Sequence, residues 1–224
     1  MAERTTRKAT RERLIKAAGE LFAEKGFKET TIRDISVQAG ANVAAVNYYF
    51  RDKESLYEDV VLYILKNMHK TFPVDRDFGK ASSPEARLHT FIRNLLYRFL
   101  DPDRPGWQGT LLAWERTAPR AAALSMIHEE IAKTRSILAS IMKELLGSAA
   151  EQENIELCGS SVMGQIMSQA HIHSPQAPPL LRKEGITKEE IERIAHHISE
   201  FSLAGIRRIR MIAEGKDDSA EKSS

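Results

Sequence analysis

The chain has 224 residues, of which 42% are hydrophobic, and its 33 Lys and Arg against 31 Asp and Glu give a formal net charge of +2. This length suits one large domain or two small ones, and the charge by itself indicates no nucleic-acid partner. No apolar run approaches the ~20 residues that a membrane-spanning helix needs, no signal peptide opens the chain, and a single cysteine excludes an intrachain disulfide. We therefore expect a cytoplasmic globular protein without a membrane partner.

The positive charge is concentrated at the start of the chain. Residues 1–16 contain six basic and two acidic residues, a local charge of +4, so a basic arm leads into the first predicted helix. That helix should run from about Thr10 to Lys25 and end at Gly26. A basic arm suits a domain that binds phosphate groups, although basic tails are often only solvated.

Residues 26–57 predict a helix-turn-helix. Thr31 precedes the second helix as its N-cap, and Gly40 stands where that helix must end, at a position that favours a residue able to adopt positive φ. The third helix, residues 42–49, leaves a small, weakly polar outer face that fits a major groove. Asp52 then caps a fourth helix that leads away from this region.

Residues 11–65 closely resemble the DNA-binding domain of the TetR/AcrR family of bacterial transcriptional regulators. The segments that carry the resemblance keep the spacing of the family, and they are RERLIKAAGELFAEKGF, TTIRDIS, AGANVAAVNYYF and DKESLY. The asparagine at position 47 resembles the residue found there in a subgroup with a CerR-like C-terminal domain. Tyr49 departs from that pattern, because a histidine is common at its position. Tyr49 is interpreted equally as a packing residue or as a DNA contact.

The resemblance and the predicted geometry together assign the DNA contacts to two groups. The phosphate contacts are expected from Thr31, Tyr48 and Lys53. The base contacts are expected from Arg33, Val43, Ala44, Ala45 and Asn47. Arg33 can pair with guanine and Asn47 with adenine, while the small apolar side chains can meet thymine methyl groups. The alternative for Arg33 is a surface salt bridge with Asp34 or Glu29.

Beyond a loop-rich boundary at residues 72–84, every long segment has helical periodicity and none has the alternation of a strand. The predicted fold class is therefore all-α, with an N-terminal three-helix helix-turn-helix domain and a larger C-terminal helical domain for ligand binding and dimerisation. The predicted domains are residues 1–70, which bind DNA, residues 71–215, which bind ligand and dimerise, and residues 216–224, a disordered tail.

The last two predicted helices carry small residues on an apolar face, which lets another helix approach closely. They pack either within the chain or against a second copy, as a four-helix dimer interface. The dimer gains support because a helix-turn-helix protein normally needs two copies to span two half-sites. The interface residues predicted on this basis are Gly159, Val162, Ile166, Ile194, Ile198, Phe201 and Gly205.

The C-terminal segment offers no catalytic set and no metal-ligand spacing, so the sequence predicts neither an enzyme nor a metal or other cofactor. The resemblance implies instead a pocket for a small-molecule inducer. The candidate lining residues are large apolar or adaptable side chains, namely Phe91, Trp107, Trp114, Met126, Met163, Met167 and His171. Taken singly, each of them fits an ordinary core residue better than a ligand contact.

The sequence therefore predicts a homodimeric, ligand-responsive transcriptional repressor. It would bind a palindromic operator in double-stranded DNA and be released by a small-molecule inducer. The alternative is a DNA-binding regulator whose C-terminal domain recruits a protein partner and senses no ligand.

Overall fold

The computed structural model describes residues 2–80, 83–117, 121–174, 177–183 and 185–215. All regular structure within these ranges is helical, which confirms the predicted fold class. The α-helices are α1 (Ala2–Glu29), α2 (Ile32–Gln38), α3 (Val43–Tyr49), α4 (Lys53–Thr71), α5 (Pro84–Leu100), α6 (Gly106–Thr117), α7 (Ala121–Leu146), α8 (Gln152–Ile172) and α9 (Lys188–Ala213). None of these described helices is both long and apolar enough to cross a membrane. The predicted tail, residues 216–224, lies outside the described residues.

Capping side chains fix the beginnings of the long C-terminal helices. Ser83 Oγ accepts a hydrogen bond from Ala86 N at 3.2 Å at the start of α5, and Pro84 follows at a position that needs no N–H donor. At the start of α9, Glu190 N donates to Thr187 Oγ1 at 3.2 Å and Thr187 N donates to Glu190 Oε2 at 2.9 Å. Each helix therefore begins where its own sequence supplies an acceptor for the free backbone amides.

Helix α1 begins earlier than the sequence predicted. The expected start was near Thr10, whereas the helix starts at Ala2, so the basic arm is itself helical. The arm contains neither glycine nor proline before Gly19, and nothing in it therefore opposes the extension of the helix. The predicted break at Gly26 is confirmed, since this residue has a φ of +81° and one further turn follows it.

The chain divides into two compact units, and unit 1 contains residues 1–68 and 103–127. Its core includes the aromatic rings of Phe22, Phe27 and Tyr57, whose centroids lie 5.2 to 5.6 Å apart. Helix α6 joins this unit because Trp107 lies against Gly19 of α1, where an added Cβ would come within 2.2 Å of the indole ring. The sequence grouped α6 with the C-terminal domain, since no local pattern reveals a contact between residues so distant in the chain.

Unit 2 contains residues 69–102 and 128–224. Its core is built from α5, the second half of α7, α8 and α9, and its largest members include Leu88, Phe91, Ile92, Leu95, Leu138, Met142, Val162, Ile166, Ile191 and Ile198. Full burial of such a side chain stabilises the folded state by roughly 1.5–3 kcal/mol. At the contact between α5 and α9, Arg93 Nε and the Tyr97 hydroxyl both donate to the Glu192 carboxylate, at 2.7 and 2.9 Å.

Three residues that the sequence assigned to a dimer interface belong to this core instead. Val162, Ile166 and Ile198 are at most 2% exposed, and they pack inside their own subunit. Residues that are already buried in this way cannot present a surface to a second copy. The prediction was wrong for them because α8 and α9 carry some apolar and small residues on their exposed sides as well as on their buried sides, so the helical period alone does not show which of these residues pack inward.

Candidate nucleic-acid interface

The start of α2 is fixed by a capping box. Asp34 N donates to Thr31 Oγ1 at 3.1 Å, and Thr31 N donates to Asp34 Oδ2 at 3.1 Å. The Thr31 hydroxyl also donates to this carboxylate at 2.7 Å, and these hydrogen bonds hold the pKa of Asp34 below its ordinary value. Thr31 is exposed, as a phosphate contact requires, but its hydroxyl hydrogen could reach a phosphate only by breaking the bond to Asp34.

Helix α3 buries one face and exposes the other. Asn42 Oδ1 accepts from Ala45 N at 2.7 Å and begins the helix, while Val46 and Phe50 are buried in unit 1, in the direction the sequence predicted. Exposed residues on α2 and α3 form what we call the reading face, which consists of Arg33, Val43, Ala44, Asn47 and Tyr48. Ala45 is only half-exposed, so it is less accessible to a base than its neighbours. Base reading by these residues stays a prediction.

The end of α3 carries two adjacent tyrosines in different environments. Tyr48 is 65% exposed, whereas Tyr49 is half-buried, with its ring centroid 5.1 Å from that of Tyr48 and 6.2 Å from that of Phe50. These contacts favour the packing interpretation of Tyr49. Arg7 Cζ lies 5.7 Å from the Tyr48 ring centroid, so the helical arm brings a guanidinium group to the edge of the reading face.

A second arginine of α1 ties the arm to the rest of unit 1. Arg11 Nη2 lies 2.7 Å from Asp59 Oδ2, and Arg11 Cζ lies 5.5 Å from the Phe50 ring centroid. The ion pair is partly exposed, so it contributes at most about 1 kcal/mol. The sequence identified both arginines only as arm residues, because their partners on α3 and α4 are distant in the chain.

Helix α4 begins with an acidic cap followed by a half-buried lysine. Asp52 Oδ1 accepts from Ser55 N at 2.7 Å, which confirms the predicted cap, and this bond holds the pKa of Asp52 below its ordinary value. Lys53, predicted to contact phosphate, instead donates to backbone carbonyl groups in the turn between α1 and α2.

Helices α8 and α9 also present apolar and small residues to solvent. On α8, Leu157 is 57% exposed and Gly164 is exposed. On α9, Phe201 is 66% and Ile212 55% exposed, and an added Cβ at Gly205 would meet nothing within 4 Å. We call this set the α8–α9 outer face. Leu157 and Gly164 were not among the interface residues predicted from the sequence.

The other predicted interface residues lie at the edge of this face or behind it. Gly159 is half-buried, and an added Cβ would lie 3.7 Å from Leu138 within the same subunit. Ile194 is half-buried against the core of unit 2. Gln165 Nε2 donates to Ser202 Oγ at 3.2 Å, and this bond holds α8 and α9 side by side.

The predicted pocket residues of unit 2 differ in burial. Phe91 is fully buried, and Met163 and Met167 are half-buried against the core. His171 is exposed on α8, directly after buried Ala170, and its assignment to a ligand pocket stays a prediction.

The two tryptophans of the predicted pocket belong to α6. Trp107 and Trp114 are both half-buried within unit 1, and Trp107 contacts α1 at Gly19. The side chain of Met126 lies outside the described residues. Trp107 therefore has a packing role in the unit that carries the reading face.

Comparison with known proteins finds two families in the chain. Residues 14–60 match the family described as bacterial regulatory proteins, tetR family. Residues 84–206 match the family described as HTH-type transcriptional dual regulator CecR, C-terminal domain. The second match confirms the predicted C-terminal subgroup, whose correct name is CecR.

Individual relatives agree with these matches. The HTH-type transcriptional dual regulator CecR of Shigella flexneri is 29% identical over 168 residues, covering 70% of this chain and 74% of that protein. A TetR-like transcriptional regulator from Rhodococcus sp. has a TM-score of 0.62 at 15% identity, covering 88% of this chain and 96% of that one. The ketosteroid transcriptional regulator KstR2 of Mycobacterium tuberculosis has a TM-score of 0.59 at 16% identity, covering 87% and 93%. At such identities the solved structures show the fold alone.

Proposed function

Because the chain belongs to the TetR family of bacterial regulatory proteins and carries the CecR-type C-terminal domain, we propose that it is a homodimeric repressor that binds a palindromic operator. A small-molecule inducer would release it from the DNA. The observation that carries the DNA-binding part is the division of α3 between a buried face, with Val46 and Phe50, and the exposed reading face. A short helix of this kind buries little surface of its own and is free to enter a major groove.

The reading face can discriminate bases by hydrogen bonds and by apolar contacts. In the proposed complex, Arg33 pairs with guanine, Asn47 pairs with adenine, and Val43 and Ala44 contact thymine methyl groups. Each good bidentate pair would contribute roughly 1–3 kcal/mol of discrimination. Tyr48 donates its phenol to a phosphate, and backbone amides beside Thr31 at the start of α2 provide a second phosphate contact.

The α8–α9 outer face is the surface we propose for dimerisation. Leu157, Phe201 and Ile212 are large apolar side chains exposed to solvent, so their burial against a second copy would be favourable. Gly164 and Gly205 leave room for the backbone of that copy. A two-fold axis through this face would pair it with itself. The resulting dimer would present two copies of the reading face to successive half-sites.

Ligand response is the part of the proposal that rests on the family alone. An inducer would have to bind the two conformations of the protein with different affinity, and coupling of this kind is typically about 1–3 kcal/mol. Phe91, Met163 and Met167 in the core of unit 2 are the described residues best suited to line its site. The alternative is that the C-terminal domain recruits a protein partner and senses no ligand.

A charge placed on the reading face tests the DNA-binding proposal. Val43 is 43% exposed, so Val43→Glu should keep the fold while it repels phosphate and abolishes binding to DNA selected from the native genome. Leu180→Glu is the matched control, because Leu180 is 94% exposed and lies far along the chain. Equal affinity of the two variants would remove α3 from the interface.

A second experiment separates ligand sensing from partner recruitment. Thermal unfolding in the presence of aromatic and amphipathic compounds identifies ligands by an increase in Tm. A ligand that also weakens operator binding supports sensing. Ligands that stabilise the protein without any effect on DNA affinity would favour the recruitment alternative.

A further inference from the structure

The side chain of Lys53, the first residue of α4, points into unit 1. Its Nζ donates to the backbone carbonyl oxygens of Phe27 at 2.9 Å, Thr30 at 3.0 Å and Lys28 at 3.3 Å. It also lies 4.5 Å from the centroid of the Phe27 ring, at cation–π distance. An ammonium group has three N–H donors, so these three carbonyl groups account for all of them.

The acceptors belong to the turn that joins α1 to α2. Gly26, with a φ of +81°, interrupts the hydrogen-bond ladder of α1. The carbonyl groups at a helix end have no backbone N–H donor within the helix. Thr30 Oγ1 donates to Gly26 O at 2.8 Å. The Lys53 ammonium donates to the carbonyl groups of Phe27, Lys28 and Thr30, which precede it by 23 to 26 residues in the chain. A cation is favourable at this place because the helix dipole is negative at the C-terminal end.

We propose that Lys53 is a positioning residue for DNA binding and not a phosphate contact, an inference that rests on the proposed function. By holding the Thr30 carbonyl, Lys53 fixes the adjacent Thr31 and with it the start of α2, which carries Arg33. A phosphate could take an N–H of Lys53 only by leaving one backbone carbonyl group without its donor. This loss is costly at Phe27 and Thr30, where the bonds are partly buried, whereas the bond to Lys28 is exposed. Lys53 therefore holds the start of α2 in position for DNA binding without contacting the DNA itself.

Two substitutions at this position separate the two roles. Lys53→Met removes the charge and all three donors while it keeps a long unbranched side chain. Lys53→Arg keeps the charge and is well suited to phosphate, but its planar guanidinium cannot direct three N–H groups from one nitrogen to three acceptors. Lys28→Met is the matched control, because it removes an exposed charge from the same turn and leaves the Lys28 carbonyl group in place.

Thermal unfolding without DNA is the first readout. We expect both Lys53 variants to lower Tm by about 3–8 °C and the control to stay within about 1 °C of the unaltered protein. If Lys53 faces phosphate, neither variant lowers Tm, and that result overturns the proposal whether or not the chain binds DNA.

The salt dependence of DNA affinity is the second readout, at a temperature where every variant is folded. We expect both Lys53 variants to lose about tenfold or more in affinity, with an unchanged slope of log K against log salt concentration. A slope reduced by about 0.9 in the Met variant and restored in the Arg variant would instead identify a phosphate contact. Unchanged affinity in both folded variants would make Lys53 structural only, and it would also refute the positioning role.

If the Met variant does not fold, the Arg variant decides, because a phosphate contact predicts that arginine restores both Tm and affinity. If the unaltered protein binds no DNA, the proposed function fails, while the comparison of Tm values still shows whether the ammonium holds the three carbonyl groups.

Discussion

Gly205→Glu is the substitution that tests the α8–α9 outer face most sharply. Gly205 is exposed on α9, one turn after Phe201, and an added Cβ would meet nothing within 4 Å. The glutamate therefore has room in an isolated subunit and becomes buried only if a second copy covers this face. We expect the variant to remain folded and to become monomeric.

The magnitude follows from the difference between the two states. Within one subunit the change is favourable by up to about 1 kcal/mol, because glutamate forms helix better than glycine. In a two-fold interface the residue occurs twice, and burial of an ionised carboxylate costs several kcal/mol. Two penalties of about 3 kcal/mol each, together about 6 kcal/mol, would raise the dimer dissociation constant by about four orders of magnitude.

Two companion variants make the result interpretable. Arg208 lies one turn beyond Gly205 and could pair with the new carboxylate, so Gly164→Glu on α8 tests the same face without that neighbour. Gly109→Glu in α6 is the matched control, because an added Cβ at this helical glycine also meets nothing within 4 Å. It should remain dimeric.

Sedimentation velocity reports the mass, and circular dichroism reports the helix content. A folded dimer with normal operator affinity for both Gly205→Glu and Gly164→Glu would refute the reasoning and move the interface elsewhere. A variant that unfolds would show that the open space around Gly205 is occupied within its own subunit.

Three further predictions concern base reading, packing and pH. Asn47→Ala should cost roughly 1–3 kcal/mol at one base pair of each half-site, measured by affinities for a set of operator variants. Tyr57→Phe removes the hydroxyl that donates to buried Glu115 and should lower the free energy of unfolding by about 1–3 kcal/mol in denaturant titrations. Burial lowers the pKa of His69 and of His89; stability should therefore be complete above about pH 6.5 and fall as the pH drops through that value towards the lower folded-state pKa values.

Each of these predictions has a result that contradicts it. A uniform loss across all operator variants would remove Asn47 from the base-reading residues. Unchanged stability in Tyr57→Phe would mean that the hydrogen bond from Tyr57 to Glu115 makes no net contribution to the free energy of unfolding. For the histidines, Tm is compared at pH 7.5 and 5.5, and the difference should shrink in the double variant His69→Gln, His89→Gln; a difference of full size in that variant would assign the pH dependence to other groups.

Local signals predicted the helix-turn-helix well. Thr31, Gly40 and Asp52 mark helix ends through hydrogen bonds or backbone angles within a few residues, and all three lie where the sequence predicted. The alternation between buried Val46 and exposed Asn47 likewise follows from helical period alone. These features depend on interactions that a short segment carries by itself.

Long-range contacts explain what the sequence did not reveal. From the sequence, Lys53 is expected to be an exposed cation at the start of a helix. Its three acceptors follow Gly26 and lie more than 20 residues away in the chain, so only the folded structure reveals them. Trp107 was a candidate pocket residue in the sequence, whereas in the structure it packs against Gly19 of α1. Ile198 and Phe201 are both apolar and three residues apart on α9, yet one fills the core and the other is exposed, because the neighbouring helices decide which face is covered.

The central claim is that two copies of this chain place their reading faces in successive major grooves of one operator. Its most direct test is to determine the sequence and the stoichiometry of the DNA that the unaltered protein selects from its native genome. We expect an inverted repeat with half-site centres about 10 base pairs apart or a multiple of this distance, bound by an even number of subunits. Selection of single half-sites by a monomer, or the absence of any enriched sequence, would contradict it.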